Sequence, residues 1–428
     1  MSERERSSQA QAWATSSVSS NSPPASSSTT ASASPFSPLP PSPPPPPPYP
    51  TSSALPPLPS NLHVIDLPPV SLSNIITDYT SLITRLCVIT EHSLRPLRSI
   101  LIGLNRPKAL IIDIFSTQAF AVCHELSIPV YSFFTAPTAL LTFSLYLPTL
   151  DREVKGEFID LPEPNDLEPV SLCALRENPF FKEIKTPPVH PIGPLVKEDE
   201  PLSESDKEVF AWLDNQPSGS VLFVALGSGR TLTSEQLTEL ALGLEMSQHR
   251  FVLVARKPID TSASMTCFNV GPTDLDNPAA CLPEGFVKRM EGVGLAVPLW
   301  APQVAVLCHG ATGGFLSHCG WNSTLESIVH GLTMIAWPLY AKQRMNASIL
   351  EKEVGVAVKP VADEGKRVIG REEVDRVVRL VMEGEEGKIM RCRARELQDC
   401  AWKALSFGYD ERVTTAESER AVVGVVAD

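Results

Sequence analysis

Short apolar runs alternate with amphipathic stretches along most of the chain. Leu62-His63-Val64-Ile65, Ala109-Leu110-Ile111-Ile112-Asp113 and Pro129-Val130-Tyr131-Ser132-Phe133-Phe134 read as strands, with helix-like stretches between them. The uncharged stretch 126–150 is broken by Pro129, Pro137 and Pro148, so it predicts a strand followed by a buried helix, not a membrane span. Farther on, Val221-Leu222-Phe223-Val224-Ala225-Leu226 predicts a strand that closes on Gly227-Ser228-Gly229. A helix follows, with Leu237, Leu240, Ala241 and Leu244 at i, i+3, i+4 and i+7. Further strands are predicted at 251–255, 295–298, 314–317 and 334–337. This alternation implies α/β architecture with parallel sheets in two blocks, joined by an acidic linker at 195–207. In doubly wound sheets, ligands sit at the carboxyl ends of the strands.

The first sixty residues break the pattern. Sixteen of the 41 prolines precede residue 61, and residues 7–65 contain no Asp, Glu, Lys or Arg. Such a segment buries too little apolar surface to offset its ordering entropy, so residues 1–57 are expected to be disordered with polyproline II character. Three origins fit the composition: a transit peptide, a proline-rich docking arm, or translation in the wrong reading frame.

Composition narrows the class. The chain has 428 residues, 43% of them hydrophobic and 20% charged, which suits two or three globular domains. A net charge of −13 disfavours a phosphate-tracking nucleic-acid binder. Nine cysteines without a CxxC or regular spacing point to reduced thiols in a cytoplasmic protein, with neither a disulfide framework nor a metal site.

The chemistry concentrates between Trp300 and Gln343. There, Trp300-Ala301-Pro302-Gln303 leads to Ser317-His318-Cys319-Gly320-Trp321-Asn322-Ser323-Thr324-Leu325-Glu326 and then to Trp337-Pro338-Leu339-Tyr340-Ala341-Lys342-Gln343. A strand ending near His318 and a helix starting near Asn322 would present free N–H groups and a positive dipole end to a phosphate. Gly320 allows close backbone approach, His318 offers a hydrogen bond, and Trp300 offers a face for a flat base. The competing structural reading makes Ser323 and Glu326 a capping box.

The whole 44-residue segment resembles the signature box of plant secondary-metabolite UDP-glycosyltransferases, most closely the phenol- and hydroquinone-glucosylating branch. Similar stretches flank it at Trp212-Leu213-Asp214-Asn215-Gln216-Pro217 and Leu282-Pro283-Glu284-Gly285-Phe286. The resemblance implies a GT-B fold of two facing Rossmann-like domains, with an acceptor-binding domain at 58–194, a UDP-sugar-binding domain at 208–405 and a divergent tail at 406–428. It implies inverting transfer of glucose from UDP-glucose to a small phenolic or alcoholic hydroxyl, without a metal or other cofactor, in a monomer with no membrane span. By motif, Trp300 would stack on uracil and Ala301 would touch it through the backbone. Gln303 and Glu326 would hold the ribose. His318, Asn322 and Ser323, with help from Gly320 and Ser228, would hold the diphosphate. Trp321, Gln343 and Thr135 would reach the sugar, and Asp113 would orient the catalytic base. For Asp113 the alternative is a strand-end acid capping the next turn.

Three departures from that family stand out. The base is a His in a Pro-Gly-x-Gly-His turn near the N-terminus, yet the first glycine here is Gly103. The box normally ends in an acid before Gln, whereas Lys342 has only donors to offer. Asp160-Leu161-Pro162-Glu163-Pro164 runs straight into Asn165-Asp166-Leu167-Glu168-Pro169, where the family has several tens of intervening residues. The N-terminal domain is therefore expected to be incomplete, with an open sheet edge. Codons for Trp13-Ala14-Thr15, read one nucleotide earlier, are compatible with Gly followed by His, which favours the shifted-frame origin of the early segment. These departures predict an impaired transferase, with a non-catalytic UDP-binding protein as the alternative. Action through the proline arm alone is a third reading.

Overall fold

In a computed structural model, the described residues are 30–34, 62–71, 75, 82–153, 189–197, 202–229, 231–259, 278–340, 342–363, 365, 367–406 and 424–427. In chain order, the elements discussed below begin with β1 (Thr30–Ser34), β2 (Leu62–Asp66), α1 (Leu82–Gly103), β3 (Leu110–Asp113), α2 (Ala119–Leu126), β4 (Val130–Phe134), α3 (Thr138–Glu153) and β5 (Val189–Pro191). Next come α4 (Glu204–Leu213), β6 (Val221–Ala225), α5 (Ser234–Ser247), β7 (Arg250–Ala255), β8 (Gly294–Pro298), α6 (Gln303–Cys308) and β9 (Thr312–Ser317). The last are α7 (Trp321–Val329), β10 (Thr333–Ala336), α8 (Gln343–Ile349), β11 (Ala357–Val358), α9 (Arg371–Met382), α10 (Glu385–Ser406) and β12 (Gly424–Ala427).

The chain forms two compact units. One comprises residues 1–136, 176–192 and 423–428; the other comprises 137–175 and 193–422. In the first unit, β3 and β4 run parallel, and the sheet order is β3-β4-β12-β5. The core beneath it joins Leu97 and Leu101 of α1, Leu110 and Ile112 of β3, and Val122, Cys123 and Leu126 of α2. Period-2 burial along β3, with Leu110 and Ile112 inward and Ile111 and Asp113 outward, is what a strand covered on one face requires.

Two expectations change here. Within the stretch assigned to disorder, Thr30–Ser34 is a strand, paired in parallel along Leu62–Asp66. Hydrogen bonds to β2 order a segment that composition alone leaves without a reason to fold. The rest of 1–57 and the short spacing at 160–169 lie outside the described residues. The expected open edge is covered at β4: the tail strand β12 pairs antiparallel with β4 on one side and β5 on the other.

The second unit holds a six-stranded, all-parallel sheet of order β11-β10-β9-β6-β7-β8. Successive residues of β6 feed opposite cores. Val221, Phe223 and Ala225 join one cluster, with Phe223 and Phe315 stacked 5.4 Å apart, while Leu222 and Val224 join the other. This double burial explains the unbroken apolar run, as expected for a strand with helices on both faces. Helix α9 packs Val374, Val377, Val378 and Val381 into the second cluster at helical spacing.

The predicted linker ends earlier than its charge pattern implies. Helix α4 starts at Glu204, inside 195–207, because Ser203 and Asp206 form a reciprocal capping box. Among the described residues, no helix is long and apolar enough to cross a membrane.

Candidate functional site

Strand order selects the site. The chain lays β6, β7 and β8 side by side, then returns to the other edge of β6 with β9 before continuing through β10 and β11. The order reverses between β6 and β9, and the crevice beyond such a switch point is where open α/β sheets bind ligands. Gly227-Ser228-Gly229 leaves the end of β6, and His318-Cys319-Gly320 leaves the end of β9.

These two turns close on the His318 ring. A Cβ on Gly227 would lie 2.5 Å from its Cε1, and one on Gly320 would lie 2.4 Å from its Nε2. Only glycines let the two backbones approach this closely, and Gly227 also has φ +73. Cys319 takes a left-handed φ of 57, which turns the chain sharply from β9 into α7. Its thiol is buried and pushed up to about 12, so it stays protonated. The Nδ1 of His318 is enclosed and has no hydrogen-bond partner among the described residues. Burial, aided by the charge of Arg256, lowers the imidazole to about 4. At neutral pH the ring is uncharged and has one N–H to offer.

Gly320 is the N-cap of α7 and Trp321 its first residue, one position before the predicted start. The capping-box reading of Ser323 and Glu326 is thereby overturned, because Ser323 sits in the third helical position with its hydroxyl engaged elsewhere. Gln303, the first residue of α6, donates from Nε2 to Ser323 Oγ at 2.9 Å and to Glu326 Oε2 at 2.5 Å. Gln303, Ser323 and Glu326 thus form one polar group beside the α7 start. Asn322 is exposed on the first turn, whereas Trp321 is buried with an unsatisfied Nε1.

Trp300 follows β8 and is 56% exposed, unusual for the largest apolar side chain, while Ala301 beside it is buried. Beyond β10, Asn346 of α8 donates from Nδ2 to Cys319 O at 2.8 Å, tying α8 to the His318 turn. Lys342 is half-buried one helical turn before Asn346, and burial lowers its pKa. Gln343 is turned inward: its Oε1 accepts from the N–H groups of Leu339 and Tyr340 at 2.8 and 3.0 Å. That oxygen holds the loop together, which leaves Nε2 as the amide's remaining polar group.

In the other unit, Asp113 ends β3 and is exposed. Its Oδ1 accepts from Phe115 N–H at 2.7 Å and Ser116 hydroxyl at 3.1 Å, the turn-capping geometry that was the alternative to base orientation. Thr135 directly follows β4 and is half-buried. Three contributors were not singled out from the sequence. Arg256 donates to the carbonyls of Gly227 and Ser228, Tyr340 has its hydroxyl against Gly229, and Asn346 anchors α8. Arg256 had one faint signal: it is the charged residue immediately after the apolar β7 run.

Comparison with known proteins places this geometry in a family. The model of UDP-glucoronosyl and UDP-glucosyl transferases matches residues 185–392. Hydroquinone glucosyltransferase of Rauvolfia serpentina is 40% identical over 404 residues, spanning 83% of this chain and 84% of that protein. The chain belongs to the plant family 1 UDP-glycosyltransferases. Among solved members, TcCGT1 in complex with UDP superposes with a TM-score of 0.72 at 40% identity, covering 84% of this chain and 86% of the other. Phytolacca americana UGT2, complexed with UDP-2fluoro-glucose and pterostilbene, gives a TM-score of 0.67 at 36% identity over 85% and 84%. The fold is the α/β GT-B fold of these plant enzymes.

Proposed function

We propose that this glycosyltransferase binds UDP-glucose at the carboxyl end of the β6–β9 sheet and is descended from enzymes that glucosylate small phenolic hydroxyls with inversion. The observation that carries the reading is the His318 ring held by Gly227 and Gly320 at the switch point, with its Nε2 edge against the N-cap of α7. A neutral imidazole N–H and the helix start suit a diphosphate and the charge that UDP gains as it leaves. Trp300 suits a uracil face, and the Gln303–Ser323–Glu326 group suits the ribose hydroxyls. The small phenolic acceptor is supported by the relative named for hydroquinone and by the solved relative holding pterostilbene. No cofactor enters this reading: UDP-glucose is the donor substrate.

Transfer by this chain is expected to be slow. Attack by a phenol needs a base to remove its proton. The sequence has no Pro-Gly-x-Gly-His turn, and Asp113 spends its Oδ1 on its own turn. That engagement favours a second reading, a non-catalytic UDP-sugar-binding protein. The test is to incubate the purified chain with UDP-glucose and hydroquinone and follow glucoside by mass spectrometry. Little or no product is expected above the uncatalysed background, together with measurable UDP binding. Turnover at a rate ordinary for such enzymes, about 1 per second or more, would refute the impairment.

A further inference from the structure

We infer that Arg256 is a positioning residue for the donor diphosphate, acting through the loop that follows β6; this rests on the nucleotide-binding reading above. Arg256 follows β7 and is half-buried. Its Nη1 donates to the carbonyl of Gly227 at 2.6 Å and its Nη2 to that of Ser228 at 3.1 Å. One planar guanidinium therefore grips two consecutive peptide groups.

The consequence follows from peptide geometry. In a trans peptide the C=O and the N–H point in opposite directions. Pinning the Gly227 carbonyl to Arg256 turns the Ser228 N–H away from it. Pinning the Ser228 carbonyl does the same for the Gly229 N–H. Among the described residues, neither of these N–H groups donates a hydrogen bond. Two successive free N–H groups beyond a left-handed Gly227 make an anion-binding concavity. The same loop bears on the His318 ring through Gly227 and on the Tyr340 hydroxyl through Gly229, so its orientation is shared with the rest of the cradle. The charge of Arg256 also adds to burial in lowering the His318 imidazole. It thus aims the loop without itself having to touch the ligand.

Lysine cannot reproduce this. Its ammonium is a point charge on a flexible stem and does not fix two carbonyls in one plane. A long-range charge effect and a positioning effect are therefore separable. The experiment titrates the full-length chain with UDP, UMP and uridine, following intrinsic fluorescence, for wild type, Arg256→Lys and Arg256→Met; thermal melts check folding. Misaligning two charge-assisted contacts is expected to weaken UDP about 10- to 100-fold in Arg256→Met. UMP should lose less and uridine should be unchanged, with Arg256→Lys close to the methionine variant. If Arg256→Met fails to fold, Arg256→Lys carries the same comparison. The inference is overturned if wild type binds UDP and a folded variant binds it equally, if uridine weakens as much as UDP, or if lysine restores wild-type affinity. Absence of UDP binding by wild type would instead overturn the nucleotide-binding reading, and this inference with it.

Discussion

Gly320→Ala places one methyl group where the structure has room for none. The backbone of Gly320, at φ −59 and ψ 143, is open to any L-residue, so alanine brings no conformational strain. The new Cβ would stand 2.4 Å from His318 Nε2, where ordinary contact begins at 3.4 Å. The ring must therefore yield by about 1 Å, and Gly227 already crowds its Cε1–Nε2 edge. A shift of that size takes a hydrogen bond out of range, and a bond to a charged partner is worth about 1.5–3 kcal/mol. UDP affinity should fall by about 10- to 100-fold. Gly310→Ala is the control, since a Cβ there meets nothing within 4 Å. Calorimetric titration of both variants with UDP, alongside thermal melts, reads the difference. Undiminished UDP binding by a folded Gly320→Ala would refute the proposed role of His318.

The remaining predictions use the pH dependence of the same ring and the tail strand. His318 titrates at about 4 when folded, against an ordinary 6.5, so the unfolded chain takes up its proton first as pH falls. Wild type should lose about 2–3 kcal/mol relative to His318→Gln between pH 6.5 and 4, levelling off about one unit below; parallel urea-derived stability curves for the two would refute this. Removing residues 423–428 takes β12 from between β4 and β5 and bares both edges. The truncated chain should associate on standing, as read by light scattering, and a scattering profile unchanged from the full chain's would count against the pairing.

The fold was legible where burial is strong. The runs at 110–113, 130–134, 221–225, 250–255 and 312–317 could be read because each strand is short, apolar and bounded by polar or glycine turns. Thr30–Ser34, Val189–Pro191 and Gly424–Ala427 were not, since what makes them strands is a partner distant in sequence. The site divided in the same way. Residues inside the box, from Trp300 to Gln343, could be named from the motif. The actual α7 cap at Gly320, the inward turn of Gln343 and the grip of Arg256 on Gly227 and Ser228 depend on side-chain geometry that spacing does not encode. Asp113 shows the limit most clearly: a strand-end acid reads the same whether it orients a base or caps its own turn.

Titration of the purified chain with UDP, repeated on Trp300→Ala, tests the central claim most directly. Trp300 is largely exposed, so its loss should change stability by no more than about 0.5 kcal/mol. The account predicts saturable one-to-one binding by wild type, weakened about 10- to 100-fold in the variant as a base loses its stacking partner. Absence of UDP binding by the wild-type chain, or equal affinity in the variant, would contradict it.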